Sequence, residues 1–342
     1  MQMNIQIKQG SAMDMKDISS QTINLIVTSP PYPMIEMWDS VFSNQEPEIK
    51  DNLDKGHGQK AFDGMHFLLD KAWLECDRVL KPGGIVCINI GDATRTINKD
   101  FQLYSNHSRI LHFFLKNGYA ALPDILWRKQ TNAPTKFMGS GTLPVGAYVT
   151  YEHEYILILR KGLRRQFQSE SEKKLRRESA FFWEERNIWF SDIWQDIKGT
   201  SQQFLDKKTR ERSGAFPFEL AYRLICMYSI KGDWVLDPFA GTGTTMVAVL
   251  TSARNGISME IDSQFNREAE KLLEEAPEFA TAFTRRRLKR HTEFVTKRTR
   301  EKGPMKHMNI HYGFPVMTAQ EPELLLNEIY DLKKEAEGEF TV

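Results

Sequence analysis

Short apolar runs alternate with helically spaced apolar residues along most of this chain. The runs at 23–27, 85–90 and 234–236 have the length and branched side chains typical of buried strands. Segments 62–80 and 217–229 instead place apolar residues every three or four positions, as an amphipathic helix does. The same reasoning adds helices at 104–116 and up to Leu250, and strands at 125–127, 155–159 and 257–261. Strands that alternate with helices predict an α/β fold, doubly wound around a mostly parallel sheet.

Two segments interrupt this alternation within residues 1–270, which we interpret as one domain. Residues 33–61 are polar and show no sustained periodicity, so we expect a long mobile loop there. Residues 161–212 combine many charges with tryptophan and phenylalanine, and this composition favours an insertion into the repeating core.

Residues 271–342 form an expected C-terminal extension that is basic and mainly helical. Eight of the sixteen residues in 285–300 are lysine or arginine. Residues 321–335 have the pattern of an acidic amphipathic helix. The basic stretch is interpreted either as a phosphate-contacting element or as a solvated helix face balanced by the acidic segment.

Composition narrows the classes of protein that this chain can be. Over its 342 residues, 41% are apolar and the net charge is only +1, so any surface for nucleic acid must be local. The three cysteines are widely spaced and form no metal or disulfide pattern, which is typical of a reducing cytoplasm. No apolar run approaches the length of a membrane span, so we expect no membrane partner.

A glycine-rich turn follows the strand at 234–236 and precedes a helix. It reads Asp237-Pro-Phe-Ala-Gly241-Thr-Gly243, and Glu260 lies 23 residues beyond Asp237, at the end of the next strand. In a βαβ nucleotide site an acid at that place binds ribose hydroxyls. The turn lacks the Gly-Lys-Ser/Thr of a phosphate loop and the third glycine of a dinucleotide fingerprint. The alternative is a tight turn without a ligand.

A proline corner ends the strand at 23–27. Ser29 and the carbonyl of Pro30 are acceptors, while Tyr32 offers a flat ring. At the carboxyl end of a parallel strand, these groups suit a planar ligand that carries an exocyclic amine. The alternative is a structural Pro30-Pro31 turn with a packed tyrosine.

Together, Ser29-Pro30-Pro31-Tyr32 and the turn at Asp237 resemble the signature motifs of DNA amino-methyltransferases that use S-adenosylmethionine. The tetrad precedes the turn by about 200 residues, as in the family's beta group with its permuted motif order. The resemblance covers roughly residues 5–270 and is strongest to N4-cytosine-specific members. It includes Leu80-Lys-Pro-Gly-Gly84, Trp127 with Lys129, Asn132 and Pro134, Glu152-His-Glu-Tyr155, and Ala215-Phe-Pro-Phe-Glu-Leu220.

The resemblance implies a Rossmann-like fold, S-adenosyl-L-methionine as cofactor, and target recognition by the insertion at 161–212. Relatives usually carry an acid that contacts the adenine where this chain has Ser11, with Asp14 as an alternative acceptor nearby. The implied catalytic residues are Ser29, Pro30, Pro31 and Tyr32. The implied cofactor-binding residues are Ser11, Phe216, Phe218, Asp237, Phe239, Gly241, Gly243, Thr244 and Glu260.

The implied reaction is direct methyl transfer to an exocyclic amine of a base flipped out of duplex DNA. Ser29 and the Pro30 carbonyl would orient the amine while Tyr32 stacks on the base. No Pro-Cys dipeptide occurs, which argues against methylation of a ring carbon through a thiolate. In this family serine at the tetrad's first position usually accompanies N4-cytosine methylation, and a hydroxyl could also donate to ring N3. N6-adenine methylation remains an alternative, as do an RNA or protein N-methyltransferase and a catalytically silent nucleic-acid-binding module.

The expected partner is double-stranded DNA, together with a cognate restriction endonuclease that acts on the same site. We expect a cytoplasmic, nucleoid-associated monomer or weak dimer. Candidate DNA contacts are Trp38, His57, Arg164, Arg165, Arg285, Arg286 and Arg287, and no metal ligands are predicted.

Overall fold

The computed structural model describes residues 2–129, 138–199 and 216–342. Its strands are β1 (Asn4–Gln9), β2 (Ile23–Thr28), β3 (Leu80–Ile90), β4 (Ala93–Ile97), β5 (Asp100–Tyr104), β6 (Tyr119–Ala121), β7 (Ile125–Arg128), β8 (Met138–Gly139), β9 (Ala147–Tyr148), β10 (His153–Lys161), β11 (Ile193–Trp194), β12 (Trp234–Asp237), β13 (Asn255–Glu260), β14 (His307–Met308), β15 (Pro315–Val316), β16 (Lys333–Ala336) and β17 (Glu339–Thr341). Its α-helices are α1 (Asp39–Gln45), α2 (Pro47–Asp54), α3 (Gly58–Val79), α4 (Asn106–Lys116), α5 (Glu170–Glu178), α6 (Trp183–Trp189), α7 (Phe218–Tyr228), α8 (Thr244–Thr251), α9 (Ser263–Glu274) and α10 (Ala276–Lys302). Within these ranges, no helix is both long and apolar enough to cross a membrane.

Most strands join one central sheet whose middle is parallel. The order is β11-β7-β10-β3-β2-β12-β13-β1-β17-β16, and β6 pairs with β10 outside that path. The five strands from β3 to β1 run parallel to one another, whereas β10 and β17 flank them in antiparallel orientation. The predicted doubly wound α/β fold is confirmed.

Helices cover both faces of this sheet, which explains why its central strands are almost wholly apolar. One apolar cluster packs Trp73 of α3 and Phe114 of α4 against β2 and β3. The cluster on the opposite face packs α7, α8 and α10 against the same sheet, with Leu224 and Val247 fully buried. The site-bearing strand ends are therefore anchored from both sides.

Residues 33–61, predicted as a mobile loop, are mostly helical, so the prediction of a loop is wrong. They contain a 3₁₀ turn (Glu36–Trp38), α1, α2 and the beginning of α3. Phe42 and Ile49 are buried in the cluster around α3, one from each short helix. A single buried anchor per short helix gives no repeating apolar pattern, and for that reason periodicity missed them.

The described part of the predicted insertion, 161–199, joins the core rather than standing apart from it. Its strand β11 pairs with β7 at the sheet edge, and Trp194 is buried there. Residues 200–212 of the predicted insertion lie outside the described residues, as do Asn132, Pro134 and Ala215 of the sequence motifs.

The C-terminal residues also belong to the central fold. The predicted boundary at 270 falls inside α9, and β17 extends the sheet by pairing with β1. The acidic helix predicted at 321–335 is wrong, because that segment has no helix. Glu321 is buried and accepts hydrogen bonds from the amides of Trp183 and Thr318, so this acid is not part of a solvated face.

Candidate functional site

The candidate site lies where the parallel strands of the sheet end. The residues that follow the parallel strands lie together at one end of the sheet, because all five strands run in the same direction. These strands are β1, β2, β3, β12 and β13. Those residues are Gly10 and Ser11 after β1, Ser29 after β2, Gly91 and Asp92 after β3, Pro238 and Phe239 after β12, and Ile261 and Asp262 after β13. The proline corner and the glycine-rich turn, 205 residues apart between Tyr32 and Asp237, are thereby neighbours.

At the proline corner, Tyr32 is held at both its ring and its hydroxyl. Its Oη lies 3.0 Å from Ser29 Oγ and donates to Glu154 Oε2 at 3.0 Å. Asn89 Nδ2 donates to Tyr32 Oη at 2.8 Å and to Glu154 Oε2 at 2.6 Å. Lys129 Nζ lies 2.8 Å from the other Glu154 oxygen. Burial raises the pKa of Tyr32, and the neighbouring Glu154 charge raises it further, so its phenol stays protonated.

At the glycine-rich turn, Asp237 ties the two strand ends together. Its Oδ1 accepts from Thr28 Oγ1 at 2.7 Å and from the Phe239 amide at 3.1 Å, while Oδ2 accepts from Thr245 Oγ1 at 2.5 Å. Burial raises the pKa of Asp237 to about 6, although these hydrogen bonds oppose the shift. The carboxylate therefore positions the turn relative to β2.

Glu260 holds the far side of the same turn. Its two carboxylate oxygens accept from the amides of Gly241 at 2.8 Å and Asp262 at 2.9 Å. Burial is the main cause that raises the pKa of Glu260. A carboxylate bonded in this way keeps further lone pairs for a ligand hydroxyl.

Two adjoining cavities open at this edge. The tetrad cavity, about 230 Å³, is lined in part by Ser29, Pro30, Tyr32, Lys129, Glu154, Phe216, Asp237 and Thr244. The acidic cavity, about 330 Å³, is lined in part by Gly10, Ser11, Pro31, Glu260, Ile261, Asp262 and Phe265. Four residues line both cavities, namely Ser29, Trp38, Phe239 and Gly241. The two cavities thus meet at the tetrad serine.

Two predicted cofactor contacts, Phe218 and Gly243, line neither cavity. Phe218 packs against Phe279 and Phe283 of α10, because it lies on the side of α7 that faces that helix. Gly243 has φ +82°, and a Cβ there would lie 2.7 Å from the Cβ of Ala269. Its glycine is required by the left-handed turn and by the close approach of α9.

Ser11 lines the acidic cavity and its Oγ accepts from the Met13 amide at 3.2 Å. The alternative acceptor Asp14 is exposed and pairs with Lys16 instead, so it does not replace the missing acid. Asp262, two residues after Glu260, lines this cavity.

Arg164 and Arg165 lie near the amino ends of the parallel strands, whereas Ser29 follows the carboxyl end of β2. Arg165 binds both carboxylate oxygens of Asp233, at 2.8 Å each, just before β12 begins. Arg164 is its exposed neighbour. Arg165 is therefore engaged by an acid away from the strand ends that carry the site, and the predicted DNA contacts at Arg164 and Arg165 stay untested.

The three consecutive arginines of α10 have different surroundings. Arg287 is buried, bonded to Glu185 through both Nε and Nη2 and to the Tyr222 hydroxyl, so its prediction as a DNA contact is wrong. Arg285 is exposed and pairs with Glu328 at 2.7 Å. Arg286 is exposed and lies over the rings of Phe279 and Phe283. Of these three arginines, Arg285 and Arg286 are exposed, and their predicted DNA contacts stay untested.

Within residues 33–61, Trp38 is at the site and His57 is elsewhere. Trp38 lines both cavities, whereas His57 is exposed, precedes α3 and lines neither of them. The predicted DNA contact at His57 stays untested.

Several site residues had no role in the sequence predictions. Glu154 and Asn89 contact Tyr32, and Lys129 contacts Glu154. Of these three, Glu154 and Lys129 were marked only as members of the Glu152-to-Tyr155 and Trp127-to-Lys129 motifs. Asn106 is buried and donates hydrogen bonds to the carbonyls of Pro33 at 3.0 Å and Gly91 at 2.9 Å. These two bonds hold Pro33, the residue after the tetrad, beside the end of β3. No sequence signal marks Asn106.

Comparisons with known proteins find similarity over most of this chain. Residues 23–271 match a family model described as DNA methylase. The type II methyltransferase M.MthZI of Methanothermobacter thermautotrophicus is 53% identical over 331 residues, which cover 96% of this chain and 92% of that protein. The type II methyltransferase M.MjaI of Methanocaldococcus jannaschii is 48% identical over 270 residues, covering 76% and 88%. The structure of a DNA modification methylase of Thermus thermophilus, complexed with S-adenosyl-L-methionine, superposes with a TM-score of 0.62 at 28% identity, covering 80% of this chain and 95% of the other.

Proposed function

Because this chain belongs to the N6/N4 DNA methylase family, we propose that it methylates the exocyclic N4 amine of cytosine in duplex DNA. The DNA methyltransferase activity is that of the family, and its cofactor is S-adenosyl-L-methionine. When bound, this cofactor supplies an electrophilic methyl group on a sulfonium sulfur. The choice of base, the flipping of that base and the roles of individual residues are the proposal.

The residues of the two cavities fit this cofactor. Glu260, anchored by two backbone amides, has the remaining acceptor capacity to bind ribose hydroxyls. Ser11, Ile261 and Phe265 line the same cavity and would surround the adenine. Phe216 and Thr244 line the tetrad cavity, where the methionine end would lie.

The observation that carries the proposal is the position of Ser29. It lines both cavities, so a base amine in the tetrad cavity would meet, beside its Oγ, the methyl group of a cofactor that extends from the acidic cavity into the tetrad cavity. An amine conjugated with a base is a weak nucleophile, and much of the acceleration must come from holding it in line with the methyl group. Ser29 Oγ and the Pro30 carbonyl would accept its two hydrogens.

Tyr32 supplies the face on which the flipped base would stack. Its ring packs over Gly91, where a Cβ would lie 3.0 Å from Tyr32 Cε2, and its hydroxyl is tied to Glu154. Stacking of a base on such an aromatic ring contributes roughly 1–3 kcal/mol. A target inside a duplex must leave the base stack to reach this ring.

The cysteines favour direct transfer over a covalent intermediate. Cys76, Cys87 and Cys226 are all buried, and none of them lines either cavity. Burial raises the pKa of the Cys76 and Cys87 thiols far above neutrality, so neither forms a thiolate nucleophile.

The base is decided by digesting DNA treated with the protein and S-adenosyl-L-methionine and measuring its nucleosides by mass spectrometry. Serine at the first tetrad position supports N4-methylcytosine as the expected product. N6-methyladenine alone would overturn the choice of base, and 5-methylcytosine would overturn direct transfer to an amine.

Variants test the site in the same assay. Ser29→Ala and Tyr32→Ala should each lose most of the methyl transfer while still binding S-adenosyl-L-methionine. Ser20→Ala is the matched control, because Ser20 is exposed in the segment before β2. Full activity in Ser29→Ala would remove Ser29 from the mechanism.

A further inference from the structure

Glu154 is the least expected charge at the site. It lies on β10, is 8% exposed, and lies 122 residues from Tyr32 in the chain. Its side chain nevertheless contacts Tyr32, Asn89 and Lys129. A buried carboxylate with three donors is costly to assemble unless it is paired and hydrogen-bonded in this way.

The direction of each hydrogen bond in this cluster follows from counting protons. An ionised carboxylate only accepts, and the phenol of Tyr32 has one proton, so Tyr32 donates that proton to Glu154. Asn89 Nδ2 only donates, and it occupies one acceptor position on Tyr32 Oη. The contact of 3.0 Å between Ser29 Oγ and Tyr32 Oη must then use the proton of Ser29.

We propose that Glu154 is a positioning residue, which acts through Tyr32 to make Ser29 a hydrogen-bond acceptor toward the target amine. With its own proton turned to Tyr32, Ser29 presents oxygen lone pairs to the tetrad cavity. A neutral serine thereby offers the amine the acceptor that an aspartate would offer. This inference rests on the proposed contact between Ser29 and the base amine.

The same proton count changes one expectation about base recognition. A serine hydroxyl could in principle donate to ring N3 of cytosine. Here that proton is used by Tyr32, so Ser29 recognises the amine and not the ring nitrogen. Any donor to the ring must come from another side chain of the cavity.

Without an acceptor at position 154, the hydrogen bond between Ser29 and Tyr32 reverses its direction. In Glu154→Met, Ser29 Oγ is the acceptor already in contact with Tyr32 Oη, so the phenol donates to it and turns the serine proton toward the amine. We expect kcat to fall about 100-fold, the lower end of the roughly 100- to 1,000-fold cost of removing one catalytic hydrogen bond. The dissociation constant for S-adenosyl-L-methionine should change much less than kcat, since Glu154 does not line the acidic cavity that would hold the adenine and ribose.

Glu154→Gln separates the acceptor from the charge. Glutamine keeps one oxygen that can face Tyr32 and Asn89, and Lys129, whose side chain is 48% exposed, can turn to solvent. This variant should therefore recover most of the kcat lost in Glu154→Met. Equal loss in both variants would show that the charge matters and would overturn the proposal.

A double-mutant cycle tests whether Glu154 acts through Tyr32. In a Tyr32→Phe background there is no phenol to orient, so adding Glu154→Met should lower kcat by less than about twofold. Multiplicative losses would assign Glu154 another role and overturn the proposal. Glu152→Met is the matched control, because Glu152 precedes β10 and pairs with Arg128.

The outcome also separates this inference from the proposed function. If Ser29→Ala abolishes methyl transfer while Glu154→Met leaves kcat unchanged, the proposed function stands and only the role of Glu154 fails. If Ser29→Ala retains full activity, both fail. Thermal melting of each variant identifies any loss that comes from unfolding.

Discussion

Replacing Arg287 by methionine should weaken the fold and leave the DNA contacts unchanged. The Arg287 side chain is 4% exposed and donates to both Glu185 oxygens, at 2.7 and 2.6 Å, as well as to the Tyr222 hydroxyl. Its guanidinium also lies over the Trp189 ring at 5.2 Å. Arg287 thus joins α10 to α6 and α7 across a buried contact.

The expected magnitude follows from what the substitution leaves behind. Methionine keeps most of the packing volume but leaves the carboxylate of Glu185, whose side chain is only 15% exposed, without its ion-pair partner. Removing one partner of a buried ion pair costs about 3–5 kcal/mol. We expect the lower end, about 3 kcal/mol, because the partial exposure of Glu185 lets water reach its carboxylate.

Urea unfolding followed by circular dichroism measures this cost as a change in the free energy of unfolding. Arg285→Met is the matched control, because Arg285 lies on the same helix in an exposed pair with Glu328 and its loss should not change stability measurably. DNA binding is measured in parallel over a series of salt concentrations. Wild-type stability in Arg287→Met, together with a shallower salt dependence of DNA affinity, would refute this reasoning and restore Arg287 as a phosphate contact.

Two further predictions concern the glycine-rich turn. Burial raises the pKa of Asp237 from an ordinary 3.8 to about 6. Between these two pH values the folded state therefore binds more protons than the unfolded state. The free energy of unfolding of the wild-type protein should then fall by about 3 kcal/mol as the pH rises through this window. The Asp237→Asn variant should not show this fall in stability. If the free energy of unfolding changes equally in the variant and in the wild type between pH 3.5 and 7, the prediction is contradicted. Gly243→Ala should cost more stability than Gly118→Ala, because both glycines have φ near +80° but only a Cβ at 243 meets Ala269. Urea unfolding of the two variants gives the difference, and equal costs would show that the contact with Ala269 relaxes freely.

Much of the sheet was predictable because its strands are buried on both faces. The segments 85–90 and 234–236 lie within the observed β3 and β12, and the helix predicted at 62–80 coincides with most of α3. Short helices were not predictable in the same way. In α1 and α2 a single buried side chain each, Phe42 and Ile49, makes the contact with the core.

The charged residues show where sequence reasoning failed. Arg285, Arg286 and Arg287 are identical in type and adjacent, yet one is buried in an ion pair while two are exposed. Neighbouring positions on a helix point about 100° apart, and what each one meets depends on distant segments. Arg165 is likewise engaged by Asp233, 68 residues away.

By itself, the sequence determined the parts of the site that depend on local backbone chemistry. Proline restricts the backbone dihedral angles and glycine widens their range, whatever the rest of the fold. The motifs that contain Pro30, Pro31, Gly241 and Gly243 therefore predicted the strand ends, the family and the cofactor. Only the tertiary structure decided which side chains surround Ser29. Glu154 on β10 and Asn89 on β3 reach Tyr32, and Lys129 after β7 reaches Glu154, because strands far apart in the chain are neighbours in the sheet. Hydrogen bonds and charges act through space, and their partners exist only after the sheet has formed.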